Sequence, residues 1–461
     1  MRWQRTSTQQ LTADPEAVWS VVGDPRRWPE WCATTHSVKL DGEPRSGGSG
    51  SFLPAAGWAR ELHRRTAPPL RLVTVAAPRT LVLEQPNPGG VMRVEWSLTP
   101  VDRGGTLLSQ RVRVTGPLTA PVVLGVARAL ADGWPEQVAR LATLVVPTST
   151  GLLKVVVAGG SGTLGRALAS DLMARGHEVV VLTRRADAAL PYRQVQWDGV
   201  RQGPWTSELA DPERTAVVNL AGRLVDTRPT PANVADLRES RVRPTQALVE
   251  ASRALERPLA RWVQGSTTAI WSDAGEARVT EATPLPTGPA ALPQMTGVAA
   301  PWEAAAHGAA TDHLVVLRTS IVMQSGSPAF DRLAGLTRAG LGGRVASGRQ
   351  WFSWIHIEDW LTLVRAALGL DRQVTVPAGV VVGAAPEPVR NAELMASLRR
   401  HLRRPTSPPT PELLVRLGSI PLRTDPALGL TGRHCTSDVL RDAGFTFAHP
   451  TLDGALDDLL H

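Results

Sequence analysis

The chain has 461 residues, 43% hydrophobic and 20% charged, enough apolar side chain for packed cores and for about three domains of ordinary size. Fifty Lys and Arg against 42 Asp and Glu leave a net charge of +8, but the basic residues are scattered, with doublets such as Arg399-Arg400 and no basic stripe, which argues against a nucleic-acid face. Two cysteines, Cys32 and Cys435, exclude a disulfide scaffold and a multi-cysteine zinc site; no apolar run reaches the roughly 18 residues of a membrane helix, and the N-terminus lacks a secretory apolar stretch, so a cytoplasmic protein without membrane or metal partners is expected.

Residues 3–11 alternate weakly and predict an opening strand. Asp14-Pro15-Glu16 supplies an N-cap, a proline at the first helical position and an acid in the first turn, so a helix is predicted over 16–22, ending near Gly23. Apolar-alternating segments at 37–40, 70–76, 80–85, 91–99 and 106–115, separated by Gly and Pro, predict strands. Val123, Val126, Leu130, Trp134, Val138, Leu141 and Leu144 recur every three or four residues and predict one long helix over 119–144. This order suggests a curved sheet gripping a helix over a cavity.

Residues 146–151 form a polar connector with Pro and Gly, read as a domain boundary. From residue 152 the pattern changes. Apolar runs at 152–158, 178–183, 216–220, 261–264, 314–317 and 380–382 alternate with helical stretches, as in a parallel sheet covered on both faces. The tail, residues 386–461, has helix-like pieces at 391–402, 412–417, 438–443 and 452–460, with Pro-rich breaks between.

The first of these runs leads directly into Gly159-Gly-Ser-Gly-Thr-Leu-Gly165 and then a helix predicted over 166–175. Glycines at 159, 162 and 165 suit a sharp turn, close approach of backbone to a pyrophosphate, and close packing of helix on strand. Free N–H groups from Gly162, Thr163, Leu164 and Gly165, with the helix dipole behind them, then receive the anion. Strand before and helix after are the context that makes this a dinucleotide site. At the end of the next run, where a site for NAD places an acid, stand Thr183, Arg184 and Arg185. Guanidinium groups bind a 2′-phosphate with paired donors, so NADP is expected over NAD.

Gly159–Gly165, Asn219-Leu-Ala-Gly222, Gly265-Ser-Thr-Thr268, Leu317-Arg-Thr319 and Trp354-Ile-His-Ile-Glu-Asp359 stand in the order of an extended short-chain dehydrogenase/reductase. Residues 152–461 resemble more narrowly the NAD-dependent epimerase/dehydratase-like subfamily that ends in a small domain of unknown function, which Val389–Glu393 and Ala443–Phe447 resemble. Residues 1–145 resemble the helix-grip domains of the polyketide cyclase/START-like superfamily through Asp14–Trp19, Asp24–Trp31 and the closing helix. The resemblance implies an α/β protein: a helix-grip α+β domain over 1–146, a Rossmann-type doubly wound parallel sheet over 152–385 and a small C-terminal domain over 386–461. It also implies that Asn219, Ala221 and Gly222 lie beside the cofactor and that Asp198 contacts adenine. Extended reductases pair through two long helices, here 233–255 and 295–309, so the resemblance suggests a homodimer.

Such reductases use a Ser or Thr with a Tyr and a Lys four residues apart on one helix, where the lysine lowers the tyrosine's pKa. Counting back from Glu303, those positions hold Met295 and Ala299. The chain has one tyrosine, Tyr192, and two lysines, Lys39 and Lys154, all elsewhere. The candidates left are Ser266 and Thr267 as hydroxyls on a substrate oxygen, or as strand-end caps, and His356 as a substitute acid/base, or as a structural histidine. Arg318 holds an anionic substrate or pairs structurally; Asp359 caps the next helix or joins the chemistry. The expected function is an NADP(H)-binding epimerase or oxidoreductase acting on a small molecule; the alternative is a non-catalytic NADPH-binding sensor or scaffold. Seven tryptophans in the N-terminal unit (Trp3, Trp19, Trp28, Trp31, Trp58, Trp96 and Trp134) predict a core, part of which the superfamily resemblance assigns to an apolar ligand.

Overall fold

The structure, a computed structural model, describes residues 2–55, 69–87, 89–101, 104–117, 119–147, 152–371, 373–422 and 424–460; Trp58 and the end of the 146–151 connector lie outside them. The N-terminal unit is one antiparallel sheet of seven strands: Arg2–Leu11, Thr35–Leu40, Ser49–Pro54, Pro69–Ala76, Thr80–Asn87, Gly90–Pro100 and Thr106–Thr115. The first strand lies beside the seventh, and the others follow in reverse order down to the second. Strand Thr106–Thr115 alternates buried and open positions, and its inward Leu108, Val112 and Val114 join Val138 and Leu141 of the closing helix in one core. The strand Ser49–Pro54 is absent from the sequence expectation, because its Gly-Ser run has no apolar alternation to read.

The closing helix is not one continuous rod. A helical turn at Thr119–Val122, a π-type turn at Val123–Ala127 and a helix at Arg128–Asp132 precede Gly133, and Trp134–Val145 restarts with Pro135 in its first turn. Proline lacks the N–H that would continue the ladder, so the apolar stripe persists while the axis breaks. Asp14 caps Pro15–Val22 by accepting the Ala17 N–H at 2.7 Å, as the local sequence predicts.

The second sheet is parallel throughout, with strands Lys154–Ala158, Glu178–Thr183, Arg193–Gln196, Thr215–Asn219, Arg261–Thr267, Leu314–Thr319 and Gly379–Gly383. Their order across the sheet is third, second, first, fourth, fifth, sixth, seventh, so the direction of winding reverses between the first and fourth. Ligands of such sheets bind at that reversal, beyond the carboxyl ends of the strands. Val155, Val156, Val157, Val217 and Val218 are fully buried, with helices on both faces.

The tail folds back onto this sheet. Helices Asn391–His401 and Leu452–Leu460 share a core with Trp354 and Phe330, Trp351–Phe352 pairs with Val389–Arg390, and Arg278–Val279 pairs with His434–Cys435. The N-terminal unit rests on the helix Thr163–Ala174. Thr12 N–H donates to Ala174 O at 3.0 Å, and Gln9 Nε2 and Arg365 Nη1 both donate to the buried Asp171. Burial works to raise the pKa of Asp171, but Arg365 and Arg175 outweigh it and hold the carboxyl below the ordinary carboxylate range.

Candidate functional site

The glycine loop follows from steric necessity. Gly159 has φ +78, and a side chain there would meet Leu220 C and O at 2.7 Å, the turn after the fourth strand. A Cβ on Gly165 would stand 2.5 Å from Gly160 Cα, so only glycine lets the helix seat on the loop. Gly162 is the N-cap of Thr163–Ala174 and has no side chain to satisfy the helix's first N–H groups. Thr163, Leu164 and Gly165 therefore present a positively polarised helix end without a side-chain cap at the reversal of the sheet.

At the end of the second strand, Thr183 is buried and its hydroxyl donates to Arg185 O at 2.9 Å, which shapes the turn. Arg184 and Arg185 have exposed side chains, and neither forms an ion pair among the described residues. Asp198 is exposed and accepts the N–H groups of Val200 and Arg201 at 2.8 Å each, closing its own turn. Asn219 is fully buried. Its amide donates to Thr245 Oγ1 and Gln264 Oε1 and accepts the Ala221 N–H, so it ties the fourth strand to its neighbours and fixes the loop carrying Ala221 and Gly222.

Ser266 and Thr267 are the last residues of the fifth strand, Arg261–Thr267. Ser266 is buried and donates to Glu303 Oε1 at 2.5 Å. Thr267 caps the turn Thr268–Trp271 by accepting the Ala269 N–H at 3.1 Å. Of the alternatives for Arg318, the structural pair is realised: its guanidinium grips Glu303 with two hydrogen bonds and lies over the Trp271 ring, 4.7 Å from the centroid. Met295 and Ala299 are buried at the head of the helix Thr296–Ala305, which ends four residues short of the predicted helix.

His356 is buried and caps the helix Ile357–Ala367, its Nδ1 accepting the Glu358 N–H at 3.3 Å. Asp359 does not cap that helix; it accepts the N–H groups of Ala448 and His449 and so holds the tail. The His356 ring stacks on His449, with centroids 3.8 Å apart, and its Nε2 lies 3.3 Å from Asp458. Donor atoms of His356, Glu358 and His449 fall within 4.8 Å of one another, a grouping the sequence did not announce because His449 lies 91 positions beyond Glu358. His449 Nε2 lies 3.0 Å from Glu358 Oε2, so the cluster forms a latch between sheet domain and tail.

Sequence reading also missed Arg433. It sits in a tail segment without a motif, and its Nη1 donates to Ser272 O at 2.7 Å and approaches Met295 Sδ at 3.5 Å. In the N-terminal unit, Trp28, Phe52, Leu83, Met92, Val94 and Trp96 line an apolar pocket between sheet and helix. No helix among the described residues is long and apolar enough to cross a membrane.

Residues 155–383 match the NAD dependent epimerase/dehydratase family, residues 2–146 the polyketide cyclase / dehydrase and lipid transport family, and residues 410–459 a domain of unknown function, DUF1731. The chain is 31% identical to the bovine (Bos taurus) epimerase family protein SDR39U1 over 314 residues, 67% of this chain and all of that protein. An epimerase family protein of Mycobacterium bovis is also 31% identical, over 66% of this chain and 96% of its own. Among solved structures, human SDR39U1 with NADPH superposes with a TM-score of 0.57 at 28% identity, over 67% of this chain and 99% of that one. A nucleoside-diphosphate sugar epimerase from Corynebacterium glutamicum shares the fold over 99% of this chain and 90% of its own, at 20% identity and a TM-score of 0.59. With its parallel sheet, glycine loop and these relatives, the chain belongs to the NAD dependent epimerase/dehydratase family, with a polyketide cyclase-type domain before that unit and a DUF1731 domain after it.

Proposed function

We propose that the protein binds a nicotinamide dinucleotide, NADPH in preference to NADH, and carries out a redox or epimerase reaction on a small molecule. The observation that carries this reading is the uncapped end of Thr163–Ala174 behind a loop in which side chains at 159 and 165 would collide with backbone. Gly162 and the N–H groups of Thr163 to Gly165 would hold the diphosphate. Arg184 and Arg185, unpaired at the end of the second strand, would hold the 2′-phosphate. Ala221 and Gly222 would flank the dinucleotide from the fourth strand, with Asn219 as their anchor. Asp198, occupied with its own turn, is left at most one outward oxygen for adenine. NADPH bound to human SDR39U1 supports the choice. When bound, the nicotinamide supplies or accepts a hydride.

Thr267 is the hydroxyl best placed to meet a substrate, since Ser266 is committed to Glu303. His356 belongs to the latch with the tail and positions that domain. The N-terminal pocket would take an apolar ligand. The helix Trp134–Val145 of the same unit packs along Thr163–Ala174, where Glu136 pairs with Arg166 at 3.1 Å. A second reading, an NADPH-binding sensor without turnover, is favoured by buried Met295 and Ala299 at the positions where relatives of this class keep their proton donor. Fluorescence titration with NADPH and NADH, followed by NADPH oxidation against a panel of carbonyl compounds, tests both. Absence of binding to either coenzyme overturns the proposal, and tight binding without turnover selects the sensor.

A further inference from the structure

Three arginines differ in their partners: Arg318 in the sixth strand, Arg241 in the helix Pro231–Arg253 and Arg433 in the tail. Arg318 is neutralised by Glu303. Arg241 is half-buried, desolvation lowers its pKa to about 10, and it donates to Leu237 O, Arg223 O and Ser240 Oγ. Arg433 is different. It has no carboxylate within ion-pair distance among the described residues; its Nη1 donates to one carbonyl and lies against one thioether. The side chain is half-buried, and among the described residues Nε and Nη2 have no hydrogen-bond acceptor. Burial lowers its pKa, but a guanidinium remains charged at neutral pH.

The segment bearing Arg433 is pinned from several sides. Gly432 N–H donates to Asp273 Oδ1 at 3.1 Å, Ala274 N–H to Gly432 O at 3.0 Å, and Ser353 Oγ to Arg433 O at 2.6 Å. A Cβ at Gly432 would lie 2.4 Å from Trp351 N. Cys435 packs in one cluster with Ala299, Ile270 and Trp271, and its thiol pKa is pushed up to about 11 by burial. The tail therefore covers both Met295 and Ala299 and delivers one guanidinium to the turn that follows Ser266 and Thr267, on the ligand side of the sheet.

We propose that Arg433 is the electrophilic group of the site: it holds the negative charge that develops on a substrate carbonyl oxygen. This rests on the cofactor reading above. The carbonyl carbon receives a hydride, the C=O π pair moves onto oxygen, and Arg433 hydrogen-bonds that oxyanion. Water then gives the oxygen its proton and leaves hydroxide to solvent. Arginine donates hydrogen bonds here and not a proton, so the role is electrostatic. Its place in a pinned segment costs no reorganisation during the reaction.

Sulfite tests this without a known substrate, because it adds reversibly to oxidised nicotinamide and sets an anion where the oxyanion would form. The full chain, loaded with NADP⁺, is titrated with sulfite and followed by the near-ultraviolet absorbance of the dihydropyridine. Wild type is expected to form the adduct at sulfite concentrations at least about tenfold lower than Arg433→Met, with Arg433→Lys between them and NADP⁺ affinity unchanged. Equal adduct formation by wild type and Arg433→Met overturns the inference, as does a wild type no better than NADP⁺ free in buffer. Should Arg433→Met fail to fold, Arg433→Lys decides: adduct formation equal to wild type with the guanidinium removed counts against the proposed geometry. No NADP⁺ binding by wild type would instead remove the cofactor reading, and this inference with it.

Discussion

Arg318 clasps Glu303 through two parallel hydrogen bonds, Nε to Oε1 at 2.8 Å and Nη2 to Oε2 at 2.9 Å. Both side chains are nearly sealed, and Ser266 adds a third donor to Oε1. The fifth and sixth strands and the helix Thr296–Ala305 thus meet at one charge pair. A lone charge left there has no water to turn to.

Glu303→Gln should therefore destabilise the protein by about 3–5 kcal/mol, because it strands the Arg318 guanidinium. Ser266→Ala removes one donor from a carboxylate that keeps two others, and should cost less, about 1–3 kcal/mol. Urea unfolding of the two variants against wild type checks the order. An equal loss for both would show that the pair is not what holds these strands.

Gly165→Ala sets a methyl group 2.5 Å from Gly160 Cα. Overpacking of this kind costs about 1–3 kcal/mol, and relief by moving the helix end falls on the anion cradle. NADPH affinity, read by fluorescence, should drop at least about tenfold with the far-ultraviolet spectrum retained. Undiminished affinity would place the diphosphate elsewhere.

Replacing Arg184 and Arg185 together by Glu should weaken NADPH by at least about a hundredfold and leave NADH nearly unchanged, since charge-assisted hydrogen bonds to the 2′-phosphate are each worth about 1.5–3 kcal/mol. Equal losses for the two coenzymes would contradict the assignment.

The hydrogen bond from His449 to Glu358 raises the histidine pKa and lowers that of the acid. A raised histidine contributes stability that is complete below its unfolded value, about 6.5, and is lost as pH climbs through its folded value. A depressed glutamate contributes above about 4.3 and loses that contribution as pH falls through its folded value. The stability gap between wild type and His449→Asn should therefore be widest near pH 5–6 and narrow as pH rises through the raised folded value of His449. His177, His313 and His434, whose pKa values burial lowers, shift both proteins alike and cancel in the comparison. Thermal melts across pH check this, and a gap independent of pH would dismiss the latch as a charge effect.

Met92→Trp puts an indole into the apolar pocket of the N-terminal unit, whose lining includes Trp28, Phe52 and Trp96. Binding of anilinonaphthalene sulfonate should weaken at least about tenfold. If filling the pocket leaves the fluorescence titration unchanged, the pocket takes no ligand of that kind.

Much of this protein is written locally. Asp14-Pro15 starts a helix because a side-chain oxygen and a preset φ act within one turn. Val155 to Val157 make a buried strand because both faces must be apolar, and the loop turns as it does because no side chain fits at Gly159 or Gly165. Each of those causes spans a few residues, so the sequence by itself determined most of the strands, the parallel sheet and the place of the glycine loop. The helix break at Gly133 was harder to read, since the apolar stripe runs through it unbroken. Tertiary structure alone decided that Ser266 turns to Glu303, that Asp359 holds the tail rather than its own helix, and that Arg433 reaches Ser272 across 161 positions. Periodicity and turn chemistry act over a handful of residues, whereas the partner of a charged side chain is set by which distant segments burial brings together, and only the packed chain contains that information.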